Sequence, residues 1–478
     1  MKLAISIIFI LVVQSGAATA GLQTEADISE PPDILLILAD DMTEADWRSL
    51  PRTQELLPTV FPNYINVLPL CCPSRASILR GQYPHSHGTL LNQNSPRGGW
   101  ESFQKQEQET IAALLQDAGY HTGLIGKYFN GYPVDGGVPP GWDYWFAKRG
   151  HKFYDWQAVE GTVEANEVRS YGSAESDYST DVITGKATAF VAEAPGDQPL
   201  FALVAPAAPH TPATPARRHK HLCATLPLGS EGKPSLNEED VSDKPSSGQL
   251  ERLAIAELTA FDRDRQCSLK AVDELVVAMI TALELRDRPY TVIFATDNGF
   301  LLGEHRRVRK NAPYEESLRT SMRAVGPDFT PGEDERLIGN IDLAPTLAAI
   351  AGAPPRDDWD GRSFLGRASP RLVRELIGIE SFGGPDENEQ REKSDLLGAD
   401  QLYPPFQGFR SKDGVVYVEY GGGEVELYDL QADPYQLENL AIGKALSDFP
   451  AYHARVERLR TCHAQGCWMA EDEPLGGE

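Results

Sequence analysis

Three stretches of the chain are apolar almost without a break and then turn abruptly polar. "DILLILADD" (33 to 41) ends in Asp40 and Asp41, and "YTVIFATDNG" (290 to 299) ends in Asp297, Asn298 and Gly299. "LFALVAPAAPH" (200 to 210) ends at His210 after two prolines that exclude a helix. Continuous apolar runs of this kind predict strands buried on both faces of a parallel sheet. Between them lie helical patterns near 107 to 118, 181 to 194, 250 to 283 and 342 to 351. Strands alternating with helices predict an α/β fold, a large and mostly parallel sheet sandwiched by helices. Ligands in such sheets bind beyond the carboxyl ends of the strands, so three strands bring their polar termini to one rim.

The pattern changes toward the C-terminus. "GGPDENEQREKSD" (383 to 395) is heavily charged, and "GVVYVEY" and "EVELYDL" then flank Gly421, Gly422 and Gly423, which reads as a hairpin. With a helical pattern near 449 to 460, this predicts a smaller antiparallel α+β domain. The expected organisation is a catalytic domain over 21–370 and a C-terminal subdomain over 371–478. Residues 229 to 249, rich in Gly, Pro and Ser, read as a long surface loop. At the other end, Lys2, the apolar run from Leu3 to Val13 and Ala18-Thr19-Ala20 read as a signal peptide cleaved after Ala20. The run falls short of the roughly 20 apolar residues a membrane span needs. A secreted or periplasmic protein without a membrane anchor is expected, and the absence of any N-x-S/T sequon favours a bacterial exported enzyme.

Charge narrows the partners. Forty-four basic against seventy acidic residues give a formal charge of −26, which argues against nucleic acid or an anionic membrane as the partner. An anionic substrate would need a locally basic pocket. Asp40, Asp41, Asp297 and Asn298 are an all-oxygen donor set, which suits Ca²⁺ first and Mg²⁺ second; zinc would recruit histidine or thiolate.

Residues 71 to 81 read C-C-P-S-R-A-S-I-L-R-G. They match C-x-P-S-R-x-x-x-L-x-G, and on this motif the chain resembles the type I sulfatases. In that family the first cysteine is oxidised after translation to formylglycine, an aldehyde that is hydrated in the resting enzyme. The resemblance implies that Cys71 is the converted residue and that Cys72 fills a variable slot. It also implies a formylglycine-generating enzyme as a partner during maturation. Pro73 and the helical pattern after it would place Cys71 at a helix N-terminus, where the dipole favours anions, with Arg75 one turn on. Arg80 departs from the small hydroxyl residue usual at its position.

The resemblance continues along almost the whole mature chain. "GYHTGLIGKY" (119 to 128) looks like the second family signature, with Lys127 as the sulfate-binding lysine. Many arylsulfatases carry a histidine two residues later, where this chain has Phe129. "GKYFNGY", "DYSTDVIT", "APAAPHTP" and "TDNGFLLGEH" resemble the N-acetylglucosamine-6-sulfatase branch. His210 aligns with the histidine that contacts the sulfate and the leaving oxygen. "RKNAPYEESLR" places Lys310 at the second active-site lysine, and "SMRAVGP" puts Arg323 where an apolar residue is usual. The resemblance thus implies catalytic roles for Cys71, Arg75, Lys127, His210 and Lys310. It implies a metal site of Asp40, Asp41, Asp297 and Asn298 with the converted Cys71, on an alkaline-phosphatase-like fold.

The implied reaction is hydrolysis of a sulfate monoester, whether of a sulfated sugar such as N-acetylglucosamine 6-sulfate or of an aryl sulfate. A phosphonate or phosphate ester hydrolase of the same superfamily is the alternative. His85 and His87 are weak candidates for the base missing at Phe129, and a structural role is the better reading of both. Five cysteines remain beside Cys71. Cys462 and Cys467 are close enough to close a short loop, Cys223 with Cys267 is a candidate second bridge, and sequence does not fix the connectivity.

Overall fold

The apolar runs become the middle of a sheet because both of their faces find cover. The computed structural model describes residues 30–245, 250–366, 374–383 and 403–475. Its strands are β1 (Asp33–Ala39), β2 (Thr59–Ile65), β3 (His121–Lys127), β4 (Tyr144–Arg149), β5 (Trp156–Gly161), β6 (Asn166–Tyr171), β7 (Leu200–Ala205) and β8 (Tyr290–Thr296). A two-stranded ribbon, β9 (Leu301–Leu302) with β10 (Val308–Arg309), follows, then β11 (Arg319–Val325), β12 (Gly332–Glu333) and β13 (Ile338–Gly339). The large sheet has 11 strands in the order β12-β2-β11-β8-β1-β7-β3-β4-β5-β6, with β13 also on β2.

Its centre, β8-β1-β7-β3-β4, is parallel as expected. Both flanks are antiparallel: β11 pairs β8 and β2 on one side, and β4-β5-β6 run as a meander on the other. Successive residues of β1 face opposite layers. Ile34, Leu36 and Leu38 pack with residues of the helices Cys71–Arg80, Ile111–Asp117 and Leu343–Ile350. Leu35, Ile37 and Ala39 pack with those of Ser179–Glu193 and Ile255–Glu284. One glycine is indispensable to this arrangement. Gly126 has φ 127°, and a Cβ there would lie 2.1 Å from the Ala205 carbonyl oxygen of β7. The residue after it is Lys127.

The smaller sheet, β14 (Leu376–Ser381), β15 (Phe406–Ser411), β16 (Val415–Tyr420) and β17 (Val425–Asp429), is antiparallel throughout, and β16-β17 is the expected hairpin. Val456 and Leu459 of the Pro450–Leu459 helix pack into its core. Disulfides join Cys223 to Cys267 and Cys462 to Cys467, while Cys71 and Cys72 are buried outside any disulfide. The expected signal peptide, the 370/371 boundary and all but the first residue of 383–395 lie outside the described residues. No described helix is long and apolar enough to cross a membrane.

Two local expectations change. The polar stretch expected as a surface loop is tied down over its described part, 229–245. Ser230 Oγ donates to the Leu302 carbonyl at 2.5 Å, and the buried Lys244 ammonium donates to the carbonyls of Gln436 and Leu437 at 3.0 and 3.1 Å. Those bonds replace water, so a polar composition does not mean exposure here. Arg323, at a position usually apolar, keeps its guanidinium half-buried over the Trp47 ring at 4.9 Å and donates to Gln54 Oε1 at 3.2 Å.

Candidate active site

The rim is built by the turns that end the central strands. β1 runs out into Asp40 and Asp41, and Asp41 takes a left-handed φ of 67°, which Asp tolerates better than most residues. β8 runs out into Asp297 and Asn298. Thr296 Oγ1 stitches the two turns together, accepting from the Met42 amide at 3.2 Å and donating to the Asn298 carbonyl at 2.9 Å. The Asp41 amide then donates to Asp297 Oδ1 at 3.2 Å. Gly299 is required next in line, since a Cβ there would lie 2.1 Å from the Glu316 carbonyl oxygen.

Cys71 is the first residue of the Cys71–Arg80 helix, whose ten residues are all buried. Leu70 before it is extended, and Pro73 falls in the first turn, where its missing N–H costs nothing. The positive end of the helix therefore points at Cys71. At the other end Gly81 caps in the left-handed region, and Arg80 donates to Gln82 Oε1 at 3.0 Å, to Asp358 Oδ2 at 3.1 Å and to the Glu109 carboxylate. Arg80 is thus a clamp at the helix C-terminus, where a cation also suits the dipole.

Around Cys71 the expected residues converge. Its Sγ lies 3.5 Å from Asp40 Oδ1, 3.9 Å from Asp41 Oδ1 and 2.7 Å from Lys310 Nζ. Lys127 Nζ donates to Asp40 Oδ2 at 2.6 Å, and Lys310 Nζ is paired with Asp41 Oδ1. Arg75 donates through Nε to Asp297 Oδ2 at 2.9 Å and through Nη1 to the Lys127 carbonyl at 3.0 Å. His210 donates from Nδ1 to the Thr211 carbonyl at 2.6 Å, which leaves Nε2 facing Asp41 Oδ2 at 3.8 Å. All nine predicted site residues meet in this one cluster.

The electrostatics are those of a buried, balanced ring. Asp40, Asp41 and Asp297 carry three negative charges, and Arg75, Lys127 and Lys310 carry three positive ones. Burial alone would neutralise Asp40, but Lys127, His210, Arg75 and Lys310 hold its carboxyl well below the usual carboxylate range. Burial and the charge of Asp40 push Asp297 up. Burial also pushes the Cys71 thiol well up against the pull of Lys127 and Lys310, so an unconverted Cys71 stays a thiol at neutral pH. Asn298 Oδ1 and Arg75 Nη2 are buried without a hydrogen-bond partner among the described residues. An orphaned carbonyl oxygen beside three carboxylates fits a hard divalent cation. A cation would raise the site's balance to +2, complementary to a singly charged sulfate ester and to the doubly charged sulfate released.

Phe129 is buried and stacks on Phe103 with centroids 4.2 Å apart, so its slot is apolar and holds no base. His85 and His87 are structural, as expected. His85 bonds Glu380 Oε2 at 2.9 Å and the Cys462 carbonyl at 3.0 Å, and His87 bonds Ser77 Oγ at 3.0 Å.

Three residues outside the sequence prediction border the site. Arg265, fully buried on the Ile255–Glu284 helix, donates to the Asp41 carbonyl at 2.7 Å and to Asp46 Oδ2 at 3.0 Å. It reaches the Pro209 carbonyl at 3.4 Å as well, so one side chain fixes both the Asp40-Asp41 turn and the turn before His210. Arg265→Leu is expected to cost about 3 to 5 kcal/mol, because Asp46 and Asp262 lose a buried partner. Thermal denaturation with and without added calcium checks this, and the variant should need more cation for half-maximal activity. The other two are Lys148 and His151. Lys148 is the ladder partner of Lys127 in β4, and the His151 ring stacks on His210 with centroids 4.2 Å apart. The run "KRGHK" (148 to 152), four basic or protonatable residues of five in an acidic chain, was the available signal.

A model of the sulfatase family matches residues 32–353. The N-acetylglucosamine-6-sulfatase of Capra hircus is 30% identical over 94% of this chain and 86% of its own length. That of Homo sapiens is 29% identical over 91% of this chain and 86% of its own. Among solved structures, one in complex with its substrate D-glucosamine-2-N,6-O-disulfate has a TM-score of 0.72 at 23% identity, covering 94% of this chain and 100% of the other. A phosphonate monoester hydrolase from Silicibacter pomeroyi shares the fold at a TM-score of 0.63 and 20% identity, over 90% of this chain and 93% of its own. The family match spans more than half of the chain, and a relative at 30% identity runs through nearly all of it. The chain belongs to the sulfatase family and is a sulfuric ester hydrolase.

Proposed function

We propose that the chain removes sulfate from a sulfated sugar, with 6-O-sulfated N-acetylglucosamine in a glycosaminoglycan as the first candidate. The carrying observation is Cys71 Sγ held 2.7 Å from Lys310 Nζ and 3.5 Å from Asp40, at the positive end of its helix. Asp40, Asp41, Asp297 and Asn298 would hold one divalent cation, Ca²⁺ first by the oxygen-only donor set. When present, the formylglycine formed from Cys71 by a formylglycine-generating enzyme supplies the attacking oxygen, and the cation supplies Lewis acidity.

The chain's own groups do the rest. Lys127, paired with Asp40, and Lys310, paired with Asp41 and beside Cys71 Sγ, would offset the charge of the sulfuryl oxygens and the charge that builds on the departing oxygen as the ester bond breaks. Arg75 orients Asp297 and keeps one N–H for an oxyanion. His210, with Nδ1–H committed to the Thr211 carbonyl, can take up a second proton only at Nε2, the atom on the site side, and would pass that proton to the departing oxygen, leaving the neutral alcohol. On this reading residues 21–370 are the catalytic domain and 371–478 the smaller subdomain, and residues 1–20 direct export and are removed after Ala20.

A matched panel tests the reading. The calcium-loaded protein should hydrolyse N-acetylglucosamine 6-sulfate and an aryl sulfate at least about tenfold better in kcat/KM than the corresponding phosphonate monoesters. Chelation should abolish turnover, and Ca²⁺ should restore it. Preference for the phosphonates would hand the site to the alternative ester hydrolase.

A further inference from the structure

A cavity of about 1110 Å³ opens beside Lys127, lined in part by the turn that follows β4. Lys148, Arg149, His151 and Lys152 line it; Asp155 is its one carboxylate. Tyr132, Trp156 and Tyr171 supply apolar walls, with the Trp156 and Tyr171 rings stacked at 4.2 Å. The volume is at the upper end for ligand pockets, larger than a lone sulfate needs.

Lys148, Arg149, His151 and Lys152 make no ion pair among the described residues. Lys148 is 5% exposed, donates to the Gly150 carbonyl at 2.6 Å and stands 5.5 Å from the Trp156 ring centre, with no carboxylate paired to it among the described residues. Arg149 Nε and His151 Nδ1 are buried without hydrogen-bond partners. Buried cations and donors in this condition cost free energy that a paired anion would offset. The chain as a whole carries −26, so the concentration of basic groups is local. Registry makes the placement specific. Lys127 and Lys148 are direct partners in parallel strands, so their side chains leave the same face about 4.8 Å apart.

We propose that residues 148–152 form a second anion subsite, which binds a sulfate or carboxylate carried elsewhere on the leaving sugar and makes polyanionic saccharides the preferred substrates. The proposal rests on the sulfatase reading for the group bound between Lys127 and Lys310. The subsite itself does not depend on Cys71. An aromatic wall beside a cationic floor is the chemistry of a charged sugar, whose ring stacks while its anionic group is paired.

A pH signature accompanies the geometry. Burial, with Lys127 next, pulls the Lys148 ammonium down to about 7, against the opposing charge of Asp40. Those two groups, His151 and the Trp156 ring are its neighbours. A depressed ammonium is charged below its pKa and neutral above it, so affinity for a second anion should fall as pH rises through 7.

The test compares N-acetylglucosamine 6-sulfate with glucosamine 2-N,6-O-disulfate, and with 6-sulfated N-acetylglucosamine linked to a uronic acid. The wild-type protein is expected to favour at least one added anion by about tenfold or more in kcat/KM, mostly through KM. The second and third substrates distinguish a sulfate from a carboxylate as the source. Lys148→Met, which removes a buried charge with little change of shape, should bring that preference close to unity and flatten its pH dependence; Lys152→Ala, at an exposed position, should reduce it partly. Calorimetric binding of the same sugars to Cys71→Ala protein separates the two claims. A binding preference in the variant, beside wild-type protein that hydrolyses none of the three sugars, keeps the subsite and ends the reading of 6-sulfated N-acetylglucosamine as substrate. Hydrolysis without preference for either added anion, or variants that lower all three substrates equally, overturns the subsite.

Discussion

Cys71→Ala should lower kcat/KM for a sulfate monoester by at least about 10⁴-fold while leaving the protein folded. The activity loss follows from position. Cys71 Sγ meets Asp40 Oδ1 at 3.5 Å, Asp41 Oδ1 at 3.9 Å and Lys310 Nζ at 2.7 Å, at the positive end of its helix. The fold survives because the change removes one sulfur from a helix whose remaining nine residues stay buried. Steady-state kinetics with an aryl sulfate, beside a thermal melt, give both numbers. Residual turnover within tenfold of wild type would show that the nucleophile is elsewhere.

The second large effect is expected at Asp297. It accepts from Arg75 Nε at 2.9 Å and from the Asp41 amide at 3.2 Å, and it is fully buried. Asp297→Ala would take a ligand from the proposed cation site and leave the buried Arg75 guanidinium with the Lys127 carbonyl as its one remaining hydrogen bond among the described residues. Removing one partner of a buried pair costs about 3 to 5 kcal/mol. Activity should fall below detection and not return with excess Ca²⁺. Asp297→Asn retains an acceptor for the Asp41 amide but not the charge, so it should regain part of the stability and none of the activity. A variant as stable as wild type would mean that Arg75 is held by other groups.

How much of this was legible follows from which forces wrote the sequence. β1, β7 and β8 are buried on both faces, so their residues are apolar without exception between the flanking polar groups, and sequence reads them directly. The flanking strands were missed. β2, "TVFPNYI", is half-buried and carries Pro62, and β6, "NEVRSY", is exposed along five of its six positions. Neither has the continuous pattern of a central strand. Asp40, Asp41, Asp297 and Asn298 were legible as polar groups that end apolar strands, while Cys71, Arg75, Lys127, His210 and Lys310 were legible through the resemblance to the sulfatase signatures. Arg265 was not, since "FDRDRQ" on a helix looks like any solvated charged face until the fold brings Asp41 and Asp46 to it. Lys148 and His151 were hidden for a related reason: their part depends on β4 lying next to β3, and sequence did not give that strand order.

The measurement closest to the central claim is the mass of the tryptic peptide Thr53–Arg75, which contains Cys71, in active protein purified from the organism that makes it. Conversion of the Cys71 side chain from thiol to aldehyde predicts a peptide about 18 Da lighter than the encoded one, with fragment ions placing the change at Cys71 and leaving Cys72 intact. Fully active protein whose Cys71 is still a thiol would contradict the account.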